Sequence, residues 1–186
     1  MMRTRNDPEQ TRARLLEAAG QVVLKQGLQG LTLDAVAQAA GVSKGGLLYH
    51  YPSKETLVKG LFAHLLEEFE RDVERRIDPT EPPGTPGRYT RAYIAASFSS
   101  DERQRELGAL IGALVTADPE LLTMVRASFE RTRAAIAVDG LGDLRAALVQ
   151  MATDGIMLYE MLGVQVLSSE LCLALFEELM RLTREP

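Results

Sequence analysis

The stretch from Leu31 to Leu57, LTLDAVAQAAGVSKGGLLYHYPSKETL, decides the fold. It reads as two short helices joined by a tight turn, followed by the first turn of a third. Thr32 can cap the first helix, which carries Val36, Ala37 and Ala40 as its apolar stripe. Gly41 stands where the chain must turn sharply, because glycine reaches positive φ without steric cost. Ser43 then offers its hydroxyl to the unpaired N–H groups of the next helix. That helix, residues 44–50, places Leu47 inward and leaves Lys44, Gly45, Gly46, Tyr49 and His50 facing out. The small Ala37 lets the two helices cross closely. One helix braces and the other is free to enter a DNA major groove, as in a helix-turn-helix.

With those residues in place, the chain resembles the TetR family of transcriptional regulators. Ala37, the run Ala40-Gly41-Val42-Ser43-Lys44-Gly45, Leu47, Tyr49-His50-Tyr51 and Ser53-Lys54-Glu55 with Leu57 carry the likeness. It covers the first third of the chain densely; beyond that it is a likeness of architecture. Two positions depart from the pattern. Asp34 stands where the family often has a basic residue, and Leu48 where it often has tyrosine. An aspartate cannot attract a phosphate, and Asp34 is expected instead to stabilise the positive end of its helix.

Composition agrees with a helical protein. Ala, Leu, Glu and Arg abound, tryptophan is absent, and 46% of residues are apolar, enough for a packed core. The single cysteine, Cys172, excludes an internal disulfide and a cysteine-based zinc site, and is expected to be a small buried residue. The opening residues MMRTRNDPEQ hold no apolar segment, and the uncharged stretch 107–117 is too short to cross a bilayer. A soluble, cytoplasmic protein with no membrane partner is expected.

The net charge of −5 argues at first against DNA, but the charge is unevenly placed. Residues 1–64 hold eight Lys+Arg and five Asp+Glu, a net of +3, so the remainder carries −8. A basic head suffices for DNA, because phosphate attraction decays within about 10 Å at moderate salt. Arg3, Arg5, Arg12 and Arg14 form a basic arm that either contacts DNA or is simply solvated.

Around the central stretch the chain divides into about nine helices without strands. The first is expected over 8–26, opened by Asp7 and Pro8 and closed by Gly27 and Gly30. Pro52 ends the recognition helix and Ser53 caps a long fourth helix reaching Val73. The segment DPTEPPGTPG, residues 78–87, is a loop. Helices then follow over 88–97, from Asp101, after Asp118-Pro119, over 144–162 and over 171–182. In the seventh, Leu121, Leu122, Val125 and Phe129 are expected to point inward. This gives an all-α protein: a helix-turn-helix DNA-binding domain over 1–53 and a helical body over 54–186, joined through helix four.

Function follows from these parts. No nucleophile elbow, phosphate-binding glycine loop or histidine metal spacing appears, so an enzyme and a cofactor are not expected. The candidate DNA contacts are Thr32, Ser43, Lys44, Gly45, Gly46, Tyr49, His50 and Lys54. Lys44 and Lys54 suit phosphates, and Thr32 and Ser43 can cap, touch phosphates, or both. Tyr93, Phe98, Met124, Phe129, Asp154, Met157 and Met161 are the candidate ligand contacts, being soft, aromatic or acidic residues in the body.

Thr153-Asp154-Gly155 resembles a pattern of the family's body, where Gly155 would let another helix approach. The resemblance implies a homodimer through the last two helices, and the apolar character of those helices fits it independently. The partners expected are double-stranded operator DNA, a small apolar or cationic effector and a second copy of the chain. The protein would be a repressor, with helix four passing a tilt from body to head. The rival reading is a helical small-molecule-binding or interaction protein that has lost DNA binding.

Overall fold

The computed structural model describes residues 8–98, 102–162 and 164–184. Among these residues the regular structure is helical: α1 (Pro8–Gly30), α2 (Leu33–Ala40), α3 (Lys44–His50), α4 (Lys54–Arg75), α5 (Arg88–Ser97), α6 (Glu102–Ala117), α7 (Leu122–Ala137), α8 (Asp143–Met161) and α9 (Ser169–Leu182). A 3-10 turn, Pro119–Leu121, precedes α7. Arg3, Arg5, Asp7 and Asp101 lie outside the described residues.

Two compact units result, Met1–Leu65 and Leu66–Pro186. The division falls inside α4, whose first turns bury Leu57, Leu61 and Phe62. The helix is 22 residues long, about 33 Å at the usual rise.

In the head, Leu15, Ala19, Leu31, Val36, Leu47, Leu57 and Phe62 are the fully buried residues that hold α1 to α4 together. Helix α1 is interrupted at Gly27, whose φ of 69° and ψ of 177° are not helical. Tyr51 is 3% exposed, and its ring lies against Gly60 of α4. Arg12 Nε donates to Tyr51 Oη at 3.0 Å, and an Arg14 guanidinium nitrogen donates to the Ala40 carbonyl at 2.7 Å. Neither residue belongs to a free arm: both tie α1 to its neighbours.

Two buried clusters stand out among the described residues of the body. Val73, Ala92, Tyr93, Ala96, Ile136, Leu141 and Ala146 form one. Ile94, Val149 and Leu179 form the other, flanked by Phe98, Leu175 and Phe176. The proline-rich loop is fastened by Arg91, which is 7% exposed. Its guanidinium meets Glu81 at 2.6 Å and donates to the carbonyls of Pro86 and Thr183, each at 3.0 Å. Asp139 reaches from beyond α7 to cap α5, accepting from the backbone N–H groups of Tyr89 and Thr90 at 3.2 and 2.8 Å. A distant carboxylate thus does what no local side chain does at Gly87.

Two expectations need correction. In α7 the buried residues are Thr132 and Ile136, whereas Leu122 and Phe129 are each 39% exposed. Val125 and Phe129 line a cavity, while Leu121, just before α7, is buried as expected. Cys172 is half-buried, not enclosed. In α8 the buried residues are the smaller Ala146, Val149, Gln150 and Thr153, while Leu144, Leu148, Met151, Leu158 and Leu162 face out.

Candidate functional site

In the head, the turn between α2 and α3 is built by local chemistry. Thr32 Oγ1 accepts from the Ala35 N–H at 3.1 Å, opening α2. Gly41 closes it at φ 65°, with its N–H on the Gln38 carbonyl and the Val42 N–H on the Ala37 carbonyl. This pair of bonds is a Schellman motif, which needs the left-handed residue that glycine supplies. Ser43 Oγ accepts from the Gly46 N–H at 3.1 Å and opens α3. Ser53 and Thr56 cap α4 reciprocally, each hydroxyl accepting from the other's N–H.

The outer face of α3 carries the sequence candidates. Tyr49 is 82% exposed and its ring stands edge-on to His50. A Cβ at Gly45 would meet nothing within 4 Å, so that position leaves the helix backbone open to close approach. Gly46 is tighter, with Ser43 Oγ 3.3 Å from such a Cβ. Lys54 is exposed at the start of α4. Lys44 is exposed as well, but its ammonium lies 2.9 Å from Asp34 Oδ2. Asp34 sits in the first turn of α2, as expected of a helix-stabilising acid, and the ion pair is a partner that the sequence reading missed. Ten positions and a turn separate the two residues, so no local pattern reveals it.

In the body, a cavity of about 340 Å³ is lined by residues of α4 to α8 and the segment after α8. That size suits a small organic ligand. Tyr93, Phe129, Met157 and Met161 line it, as do Phe69, Ile111, Val125, Ser128, Thr132, Glu160, Val164 and Gln165. Three other candidates sit elsewhere. Phe98 packs on Phe176, ring centroids 5.7 Å apart, in a buried cluster. Met124 is half-buried outside the wall. Asp154 stands behind Tyr93, whose hydroxyl donates to it.

Electrostatics at this wall are acidic. Among the described residues Glu160 is the charged group lining the cavity, and no lysine, arginine or histidine does. Glu70 lies just outside, accepting from Ser128 Oγ at 3.1 Å and pairing with Arg131. Burial raises the Tyr93 phenol far above its ordinary range, and the neighbouring Asp154 raises it further, so Tyr93 stays a donor. Burial also raises the Asp154 carboxyl, against the lowering effect of donors from Tyr93 and Gln150.

The raised carboxyl fixes a sign. A group that binds its proton more tightly when folded adds stability below its unfolded value, and loses it as pH rises through the folded one. Asp154→Asn should therefore stabilise the protein at pH 7, and its advantage should shrink toward pH 4 as Asp154 protonates. Urea unfolding of both proteins at pH 7, 5.5 and 4 measures this, and a difference constant with pH would refute it.

Residues 15–61 match the model described as bacterial regulatory proteins, tetR family. Residues 87–184 match the tetracyclin repressor-like C-terminal domain. The chain is 33% identical over 82 residues to the HTH-type transcriptional regulator TtgR of Pseudomonas putida, covering 41% of this chain and 39% of that protein. It is 30% identical over 91 residues to BetI of Paraburkholderia phytofirmans, covering 49% of this chain and 46% of the other. The chain thus spans less than half the length of these curated relatives. The solved structure of the multidrug binding protein EbrR with imidazole superimposes with a TM-score of 0.68 at 25% identity, over 100% of this chain and 95% of EbrR. A regulator from Pseudomonas aeruginosa PAO1 gives 0.71 at 23% identity, over 95% and 91%, and shares the fold.

Proposed function

The chain belongs to the tetR family of bacterial regulatory proteins, and from that premise we propose that it is a ligand-responsive, DNA-binding transcriptional repressor. It would act as a homodimer on a palindromic operator and leave that site when a small effector enters the body. The observation that carries this is α3: a capped helix on a four-helix head, with Lys44, Gly45 and Tyr49 turned outward. Such a helix has the size and exposure to enter a major groove. Thr32, Ser43 and Lys54 flank it as phosphate contacts. Tyr49 and His50 are its large side chains for base edges or backbone.

The cavity supplies the second half of the reading. Its aromatic and methionine wall with Glu160 suits an apolar or cationic effector of modest size. EbrR, a multidrug binding protein with a similar fold, supports that class. Helix α4 lends Leu66 and Phe69 to the cavity wall, while its N-terminal turns belong to the head. Filling the cavity would shift α4 and change how the two recognition helices are spaced. The second copy would cover the outward leucines of α8.

The rival reading, a helical binder that has lost DNA, draws on the Asp34 carboxylate at Lys44. One experiment separates them: selection of bound duplexes from a random pool, followed by salt titration of the best binder. A selected site with dyad symmetry, its half-sites about 34 Å or a multiple apart, and affinity that falls with salt are expected. Selection without enrichment, or binding indifferent to salt, would favour the rival.

A further inference from the structure

Lys44 opens the recognition helix, yet its charge is not free. The ammonium is held 2.9 Å from Asp34 Oδ2, and both side chains are well exposed, at 57% and 70%. The turn at Gly41 brings them together, since it folds the first turn of α3 beside the first turn of α2. Nearby arginines have other duties, Arg12 on Tyr51 and Arg14 on the Ala40 carbonyl. Among the described residues Lys44 is the cation in the first turn of α3, and an acid already occupies it.

We infer that Asp34 sets the affinity of the head for DNA, by competing with a backbone phosphate for Lys44. This rests on the DNA-binding reading above and assigns a role to one residue within it. A carboxylate in contact with an ammonium leaves a dipole, whose field fades faster than that of a lone cation. An incoming phosphate meets that dipole first. To pair with Lys44 it must displace Asp34, which then stands as an unpaired anion beside the DNA backbone. Both steps act on phosphate, which is the same in every sequence, so they lower affinity without altering base preference. The benefit is reversibility: effectors typically change affinity by only about 5- to 150-fold. A head that gripped DNA much harder would stay bound when the effector arrived.

The test uses the full chain, a 40-base-pair fluorescein-labelled duplex of mixed sequence and a duplex taken from the selection above. Anisotropy titrations compare wild type, Asp34→Asn, Lys44→Gln and the double variant between 50 and 200 mM NaCl. One additional phosphate contact per head adds about two units to the salt slope of the dimer. Asp34→Asn should then bind both duplexes about 100-fold tighter at 50 mM and about tenfold tighter at 200 mM. The double variant should lose the gain. Thermal melts confirm that each variant is folded; Asp34→Ser replaces Asp34→Asn if the amide is not. Wild type that binds while Asp34→Asn gains nothing, or an Asp34→Asn gain that persists without Lys44, overturns the inference alone. A changed base preference also overturns it, since Asp34 would then touch bases. No salt-dependent binding by wild type overturns the DNA-binding reading and the inference together.

Discussion

Gly155→Arg should leave the fold of a single chain intact and abolish its pairing. A Cβ at Gly155 would meet nothing within 4 Å inside the chain. In isolation the substitution even favours the helix, by up to about 1 kcal/mol, since glycine is a poor helix former. A second copy changes the outcome. Leu144, Leu148, Met151, Gly155, Leu158 and Leu162 recur at steps of four and three along α8, which is the spacing of a helix-packing seam. Leu144 is 83% exposed and Met151 65% exposed in the single chain. A guanidinium at the glycine, where two helices would approach most closely, must be buried without a partner or hold the helices apart.

The consequence for DNA should be larger than for association alone. Two linked heads on a palindrome gain about 10²–10⁴ in affinity over one head. Gly155→Arg is therefore expected to sediment as a monomer and to bind the selected duplex at least about 100-fold more weakly. Its helix content should be unchanged. Persistence of a dimer with full DNA affinity would show that α8 does not pair through this face.

The second large effect separates two glycines one turn apart in α6. A Cβ at Gly112 would lie 2.6 Å from the Met161 carbonyl oxygen and 3.3 Å from its carbon. Those are backbone atoms of the last turn of α8 and cannot swing aside. Gly112→Ala must push α6 and α8 apart, a strain of about 1–3 kcal/mol. For a chain of this size that lowers Tm by roughly 3–10 °C. At Gly108 the nearest atom is Met161 Cγ at 3.9 Å, an ordinary contact. Gly108→Ala should be neutral or stabilising, by up to about 1 kcal/mol. Met161 and Gly108 both line the cavity. Gly112→Ala should thus also weaken whatever effector a thermal-shift screen finds, whereas Gly108→Ala need not. Equal melting temperatures for the two variants would mean that the α6–α8 crossing is looser than described.

The head was readable from residues alone because its geometry is made by neighbours. Thr32, Gly41, Ser43 and Ser53 each act on backbone groups within a few positions, so their types imply the caps and the turn directly. The helical composition of the body and its proline-rich loop were readable for the same reason. Periodicity also marked α8 as apolar, but it could not say which of its faces the chain itself covers. Packing decided that, filling the inner side with Ala146, Val149 and Thr153 and turning the leucines outward.

The cavity could not be read from the chain. Its wall joins Leu66 to Gln165 across α4 to α8, and residue type does not distinguish Phe129, which borders it, from Phe98, which packs on Phe176. Asp139 at the start of α5 and Asp34 at Lys44 are likewise contacts between distant or turned segments. A side chain's chemistry is local, but its partner is chosen by where the backbone carries it. The helices and their caps therefore belong to the amino-acid order, while the cavity, the distant cap and the paired lysine exist only once the helices have packed.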